Sequence, residues 1–429
     1  MKQKSLFLDI LTIGFALFSM FFGAGNVIFP PFLGMQSGGH WFGGLTAFFV
    51  ADVVLAVLAL FAMFRAGSAE GLLGSIGSRA AVILLTVIVL CNGPLLAIPR
   101  TAATTFEIGV SELIPLLSPV TFSVFFFLLV LVLSIRESAV VDVIGKILTP
   151  LLLIGLAVLI VDGMIQPIGT ISETAQVDSV PMNGIRAGYQ TLDVMGALVL
   201  GPVLIRSADA RGYRDKKQRM KLLVGASAVA ALLLLLVYLG LTYLGATASE
   251  IFSSDVSRTA LIMYIVQRIL GRPGLIIFTV VVALACITTA IGLTCACATY
   301  LSGLTKGRGS YKLFVVIICI FSAVISNLSL DTIISVSAPI LELVYPVVLV
   351  LTAVSLVAPH LSRQACIAAV LGATVMNILF TVDSMGLSMP WLHALPLAGI
   401  DMIWILPSLL CGVIAAVIFR RLPLARQKA

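Results

Sequence analysis

The chain has 429 residues, of which 60% are hydrophobic and only 10% charged, with a mean hydropathy of +1.17. Soluble domains carry roughly 25% charged residues, and no water-soluble fold hides so much apolar surface, so the composition excludes water as the main solvent and requires a bilayer. The net charge of +7 could suggest nucleic acid as a partner, but its placement in short loops along the chain, described below, points to membrane topology instead.

A hydrocarbon core of ~30 Å takes about 20 apolar residues to cross as a helix. Lys2 and Lys4 before an apolar run superficially resemble a secretory signal. However, Asp9 interrupts the run, it continues past Phe32, and no small-residue cleavage site closes it. It is therefore read as the first membrane segment, over 8 to 34. Further segments are predicted at 41 to 64, 80 to 105, 117 to 135 and 143 to 162. A second set follows at 185 to 206, 220 to 244, 274 to 303, 312 to 330 and 333 to 357, and two more at 364 to 382 and 397 to 419. Between the seventh and eighth, Ser254 and Asp255 are expected to cap a short amphipathic helix carrying Leu261, Ile262, Ile265 and Ile269.

The expected class is thus an all-α integral membrane protein of about twelve helices. With the N-terminus placed in the cytoplasm, all of the 26 Lys and Arg fall on that side except Arg186, Arg258, Arg268 and Arg272 in opposite-side loops and Arg100 within a span. The positive-inside rule then makes both termini cytoplasmic and the number of spans even. Ten segments split into two sets of five, and an odd set forces the second to start from the opposite face. This gives an inverted repeat within one transporter domain over 1–429: 8–162, then 185–357, with 364–419 as additional helices. Segments three and eight are unusually long, as tilted helices are.

Segment one reads Ser19-Met20-Phe21-Phe22-Gly23-Ala24-Gly25-Asn26-Val27-Ile28-Phe29-Pro30-Pro31. Two glycines and two prolines make it a candidate for a broken helix with released backbone groups near Gly23 to Asn26. Such groups are tolerable at depth only when they line a cavity or are buried in protein. Free N–H groups at Ala24 and Gly25 would suit a carboxylate, and free carbonyls at Ser19, Phe21 and Phe22 a cation. A small-residue packing face is the competing reading. Asn26 weighs against it, because a carboxamide inside a span needs a partner or a task. Segment three carries Pro94 and Pro99, expected to kink it by removing bonds to Leu90 and Leu95.

These stretches have company. Gly23 to Pro31, the run Gly93-Pro94-Leu95-Leu96-Ala97-Ile98-Pro99-Arg100-Thr101-Ala102, the stretch Gly188-Tyr189-Gln190-Thr191-Leu192-Asp193 and the run Ala290 to Ala298 together resemble the bacterial branched-chain amino acid:cation symporter family. The resemblance spans nearly the whole chain and departs at Leu192, where methionine is expected. It implies a leucine-transporter-type fold of five plus five inverted helices with broken helices one and six. It also implies import of leucine, isoleucine and valine through the bacterial inner membrane, commonly with sodium.

By symmetry with segment one, the break of segment six is expected between Gly196 and Pro202, with backbone at Gly196, Ala197 and Gly201 facing substrate, Tyr189 nearby and Asp193 on the outer half-helix. An ionisable residue within a span is a functional candidate by default. Pairing of Asp193 with Arg100 is the structural alternative, and Arg100 could simply snorkel. In segment eight, the Ala285 carbonyl with the hydroxyls of Thr288 and Thr289 shares one helical face. That oxygen set suits a hard cation, and the resemblance, which implies that this is the family's cation-bearing helix, sets that reading level with the alternative of threonines bonded back to their own helix. Thr294 is the competing ligand. The residue set is therefore Gly23, Ala24, Gly25, Asn26, Tyr189, Asp193, Gly196, Ala197 and Gly201 for substrate, and Ser19, Phe21, Phe22, Asn26, Ala285, Thr288, Thr289 and Thr294 for sodium.

Other chemistries find little support. The seven cysteines sit in apolar runs without metal-ligand spacing, and His40, His360 and His393 form no zinc motif. No nucleophile elbow marks an intramembrane enzyme. No cofactor or transition metal is expected, coupling to protons through Asp193 stays open beside sodium, and so does another small solute carried by the same fold. A passive channel is a weaker third reading.

Overall fold

The computed structural model describes residues 6–135, 149–305, 309–384, 386, 389–398 and 402–419. Lys2, Lys4, Arg136, Lys146, Lys306, Arg308, Arg420, Arg421, Arg426 and Lys428 of the charge argument, and the start of the fifth predicted segment, lie outside these residues. The described residues are helical, without a strand. In chain order they form α1 (Leu6–Phe21), α2 (Ala24–Ser37), α3 (Trp41–Phe49), α4 (Leu55–Ala66), α5 (Ala69–Leu73), α6 (Ser78–Leu90), α7 (Ala97–Thr105), α8 (Ser111–Leu113) and α9 (Pro119–Ser134). Then follow α10 (Thr149–Ile165), α11 (Val180–Gln190), α12 (Asp193–Ala210), α13 (Lys216–Ala246), α14 (Arg258–Leu304), α15 (Tyr311–Ile325), α16 (Leu330–Val357), α17 (Arg363–Ser384), α18 (Pro390–His393) and α19 (Ile405–Phe419). Seven helical runs are long and apolar enough to cross a bilayer, and five shorter apolar helices accompany them among the described residues. Helices satisfy their backbone groups internally, as lipid, which offers those groups no partners, requires. On α9, Phe126, Phe127 and Val130 are buried while Val124, Phe125, Leu128 and Val132 are exposed. An outward face of that kind suits hydrocarbon and would aggregate in water.

One compact unit comprises residues 1–57 and 89–337. Its first break falls between α1 and α2 at Phe22 and Gly23, where the Phe22 and Gly23 N–H groups donate to the Phe18 and Phe21 carbonyls, each at 2.7 Å. Gly23 is extended (φ −106°, ψ −160°), and Ala24 to Asn26 open α2. Pro30 and Pro31 lie inside α2 and deprive the Asn26 and Val27 carbonyls of their helical donors. Glycine lets α2 meet α13 backbone to backbone. A Cβ on Gly34 would lie 1.9 Å from the Thr242 carbonyl oxygen, and one on Gly245 would lie 1.8 Å from that of Pro31.

The second break is not where symmetry put it. Gly196 to Pro202 lie within continuous α12, and the chain turns at Thr191 and Leu192, with Leu192 left-handed at φ 72°. A side chain caps this turn: the Arg100 guanidinium donates from Nη1 to the Gln190 carbonyl (2.6 Å) and from Nη2 to that of Thr191 (3.3 Å) at the end of α11. Asp193 consequently opens the second half-helix instead of ending the first, and Arg100, only 4% exposed, does not snorkel.

Segment three bends at Gly93 (φ −97°, ψ −125°), one residue before Pro94. Pro99 makes no kink, because it is the third residue of α7, where its missing N–H would have had no helical acceptor. The short amphipathic helix forms the start of α14, set off by Gly271 at φ 66°. Its cap is Ser257, whose hydroxyl accepts from the Ala260 N–H at 3.2 Å, in place of Ser254 and Asp255. Leu261, Ile262 and Ile265 are buried as expected, and Ile269 is half-buried.

The other unit comprises residues 58–88 and 338–429. Within it α17 packs closely on α19, since a Cβ on Gly372 would lie 2.7 Å from the Pro407 carbonyl oxygen. The Asn377 amide donates to the Glu342 carbonyl, and His393 Nε2 lies 2.8 Å from Asp383 Oδ2.

Candidate functional site

The two breaks share a cavity of about 30 Å³, space for roughly two waters at ~10 to 15 Å³ each by the same measure. The first break contributes Met20, Phe21, Gly23, Ala24, Gly25 and Asn26, and the second Thr191, Leu192, Asp193, Gly196 and Leu200. Asn92, Ala97, Arg100 and Thr101 come from segment three, and Thr289 and Leu293 from α14. Asp193, Gly196 and Leu200 follow an i, i+3, i+7 spacing, so one face of α12 meets the cavity. Ala197 and Gly201, both expected to contact substrate, are buried in α12 and are not among the residues that line the cavity. Tyr189 is also away from the cavity lining. It is buried in the last turn of α11, and its carbonyl accepts the Leu192 N–H at 3.3 Å.

Polar groups converge on one wall. The Asn26 amide donates to Asp193 Oδ2 (3.0 Å) and to the Tyr238 hydroxyl, which in turn donates to Asp52 Oδ2 (2.8 Å). The Thr191 hydroxyl lies 2.7 Å from Asp52 Oδ1 and 2.6 Å from the Gly188 carbonyl. Asp52 sits in a π-helical turn, Val50–Val54, between α3 and α4. All five side chains are buried. Sequence reasoning missed Asp52 and Tyr238. Asp52 carried the signal that singled out Asp193, an ionisable group within a span; Tyr238, in a leucine-rich helix, carried none.

A second cluster, of oxygens only, adjoins the cavity through Thr289. The Thr289 hydroxyl donates across helices to the Ser19 carbonyl (3.4 Å), the Thr288 hydroxyl donates to that of Ala285 (2.8 Å), and the Ser19 and Thr288 hydroxyls are 3.5 Å apart. Gly23 permits this approach, for its Cβ would lie 3.2 Å from Thr289 Cγ2. Neutral oxygens from two helices match a hard monovalent cation by donor chemistry. The Phe21 carbonyl is engaged by Gly23 and the Phe22 ring stacks on Phe18 at 5.2 Å. Thr294 is buried, and its hydroxyl has no hydrogen-bond partner among the described residues; five residues beyond Thr289, it falls on a different helical face. Among the described residues no group of three or more His, Cys, Asp or Glu could hold a metal.

The chain resembles solved transporters in fold. A Na+-coupled sialic acid symporter in a substrate-bound outward-open state matches with TM-score 0.62 at 15% identity, covering 96% of this chain and 90% of that one. Mhp1, a nucleobase-cation-symport-1 family transporter, matches with TM-score 0.62 at 13% identity, covering 96% and 92%. At those identities the likeness establishes the leucine-transporter-type fold alone. Sequence relatives are closer. The branched-chain amino acid permease BrnQ of Salmonella typhimurium is 34% identical over 422 residues, 95% of each chain. The branched-chain amino acid transport system 3 carrier protein of Pseudomonas aeruginosa is 36% identical over 415 residues, 93% of each, and the permease BraB of Bacillus subtilis is 32% identical over 432 residues, 97% of each. Residues 7–422 match the family described as branched-chain amino acid transport protein. The chain belongs to that family of multi-pass membrane transport proteins, which are carriers and not enzymes.

Proposed function

We propose that this protein imports leucine, isoleucine and valine across the bacterial inner membrane, coupled to a cation, sodium in the first instance, by alternating access. The observation that carries the reading is that Thr289 belongs to both clusters: it lines the cavity and reaches the Ser19 carbonyl. Two ligands that share a residue are thermodynamically linked, and linkage is what coupled transport requires. The substrate class comes from the family and its permease relatives, and it agrees with the lining, where Met20, Phe21, Leu200 and Leu293 can receive an aliphatic side chain beside a polar wall. The cavity of about 30 Å³ is smaller than an amino acid, which fits only after those side chains part. Both termini are placed in the cytoplasm, with 8–162 and 185–357 as the inverted repeats and 364–419 added to them. Coupling to protons is the second reading, favoured by the presence of Asp193 in the cavity wall.

Uptake of labelled leucine into proteoliposomes tests this. Isoleucine and valine are expected to compete, lysine and glutamate not to, and replacing sodium with choline is expected to abolish accumulation. Equal competition by lysine overturns the substrate class. Sodium-independent uptake that collapses with the proton gradient selects the second reading. Absence of counterflow, the exchange of labelled for unlabelled solute that a carrier performs, would point to a channel.

A further inference from the structure

We infer that the first turns of α13 bind an anionic phospholipid, its phosphate held by Lys216, Lys217 and Lys221 and one acyl chain laid along the exposed face that continues from Val224. In the orientation proposed above, this is a lipid of the cytoplasmic leaflet.

α13 has 31 residues, about 46 Å at 1.5 Å per residue against a hydrocarbon core of ~30 Å. A helix of that length that opens with charged residues starts in the headgroup zone. There Asp215, Lys216, Lys217, Met220, Lys221 and Val224 line an open groove. Lys217, Lys221 and Val224 keep an i, i+4, i+7 spacing, and the exposed Ala228 and Leu232 carry the same face into the bilayer. Leu222, Leu223 and Ala226, on the opposite face, are buried. One helix face thus passes from ammonium groups to aliphatic side chains in the order in which a phospholipid passes from phosphate to acyl chain. A soluble anion would use only the first half of that sequence. The lysines are also available for a ligand. Neighbouring basic residues are engaged within the protein, Arg211 by Asp9 at 2.6 Å and Arg219 by Asp209 at 3.0 Å. Asp215, the acid of the groove, caps α13 by accepting from the Lys217 and Gln218 N–H groups, each at 3.1 Å. Lys216, Lys217 and Lys221 are exposed and form no ion pair with another described residue. Three cations against one anion leave the groove positive, and lysines immediately beside a span attract anionic lipid. A lipid held there also braces α1. A Cβ on Gly225 would lie 2.9 Å from Ile10 Cδ1, so the two helices cross closely one turn beyond Lys221.

The competing role for these lysines is topology alone, since the positive-inside rule asks for charge near a span and nothing of its arrangement. Native mass spectrometry of the full-length protein in detergent separates the two. Phosphatidylglycerol and phosphatidylcholine with identical acyl chains are titrated, and the dissociation constant of the first lipid bound is read for each. The parent is expected to bind phosphatidylglycerol at least tenfold tighter. In Lys216→Gln/Lys217→Gln/Lys221→Gln the preference should fall to near one, and the melting temperature that phosphatidylglycerol raises in the parent should no longer respond. Lys216→Arg/Lys217→Arg/Lys221→Arg keeps the charge and should keep the preference. Glycerol phosphate in large excess should not displace the lipid, because it lacks the chain that the Val224 side of the groove receives. A parent without preference, or an unchanged preference in the glutamine variant, overturns the inference and leaves the lysines to topology. Displacement by glycerol phosphate overturns it in favour of a soluble phosphate. If the glutamine variant is not recovered from the membrane, Lys217→Gln and Lys221→Gln are made singly. Each should lower the preference several-fold, and no change in either overturns the inference as well.

Discussion

Asn26 joins three elements: its side chain bonds Asp193 at the start of α12 and Tyr238 in α13, while its own backbone opens α2. Asn26→Ala leaves a buried carboxyl and a buried phenol each short of a partner, a loss of about 1 to 3 kcal/mol per group. Coupled leucine uptake is expected to fall at least tenfold, with normal membrane insertion; parental leucine binding and sodium response would reduce Asn26 to a packing residue. The two threonines should differ. Thr288 bonds its own helix at Ala285, whereas Thr289 reaches Ser19 on α1. Thr289→Ala should therefore raise the sodium concentration for half-maximal uptake more than Thr288→Ala, and the reverse order in a sodium titration would shift the cluster's centre away from Thr289. Asn26, Thr288 and Thr289 were legible because polar groups are costly in an apolar span and stand out there. Asp52 was equally legible by that rule but lacked a motif around it. The contact of Arg100 with the Gln190 and Thr191 carbonyls, 90 and 91 residues away, has no local sequence signal.

At the scale of elements, the first break was legible because glycine and proline announce it, and the second was not because nothing of the kind stands at Thr191 and Leu192. Glycine permits a break without forcing one, so Gly196 and Gly201 stay helical beyond the turn that Arg100 caps. Leu192 bears the cost, since a left-handed residue with a Cβ is disfavoured by roughly 1 to 2 kcal/mol. Branching at Cβ stiffens the side chain further, so Leu192→Val should lower the melting temperature measured in detergent, while Leu192→Met, unbranched there and close in volume, should leave it nearly unchanged. Equal effects of Val and Met would exclude backbone strain as the constraint. The glycine stripes sort themselves in the same way. Gly245→Ala drives a Cβ into the Pro31 backbone, which cannot rotate aside, and should cost at least about 1 to 3 kcal/mol. Gly292→Ala meets nothing within 4 Å and should be neutral or stabilising by roughly 0.5 to 1 kcal/mol. A melting temperature for Gly245→Ala at or above that of Gly292→Ala would contradict the close crossing of α2 and α13.

At the scale of the larger unit, charged contacts hold the half-helices on either side of the first break. On α1, Asp9 accepts from Arg211 Nη1 at 2.6 Å and from the Tyr213 hydroxyl at 2.8 Å. Beyond the break, Arg258 pairs with Asp331 and lies over the Phe29 and Phe32 rings of α2, 5.8 and 4.7 Å from their centroids. Glu107 reinforces that end by accepting from the Leu330 N–H at 2.8 Å and the Thr259 hydroxyl at 3.3 Å. Burial decides which contact is worth more. The Arg211 and Asp9 side chains are 19% and 8% exposed, against 27% and 48% for Arg258 and Asp331. An exposed pair contributes at most about 1 kcal/mol and the ring contacts about 0.5 to 1 more, whereas removing one partner of a well-buried pair costs about 3 to 5 kcal/mol, to be discounted here for partial exposure. Asp9→Asn should therefore loosen α1 more than Arg258→Gln loosens α2. Hydrogen–deuterium exchange reads both, because it reports local opening free energies directly. The expected result is exchange accelerated about tenfold or more over Leu6–Phe21 in Asp9→Asn, by the conversion of ~1.4 kcal/mol per decade, and only a few-fold over Ala24–Ser37 in Arg258→Gln. A larger acceleration in Arg258→Gln would mean that the Phe29 and Phe32 rings and Glu107 make that end the tighter one, and that the more mobile half-helix is α1.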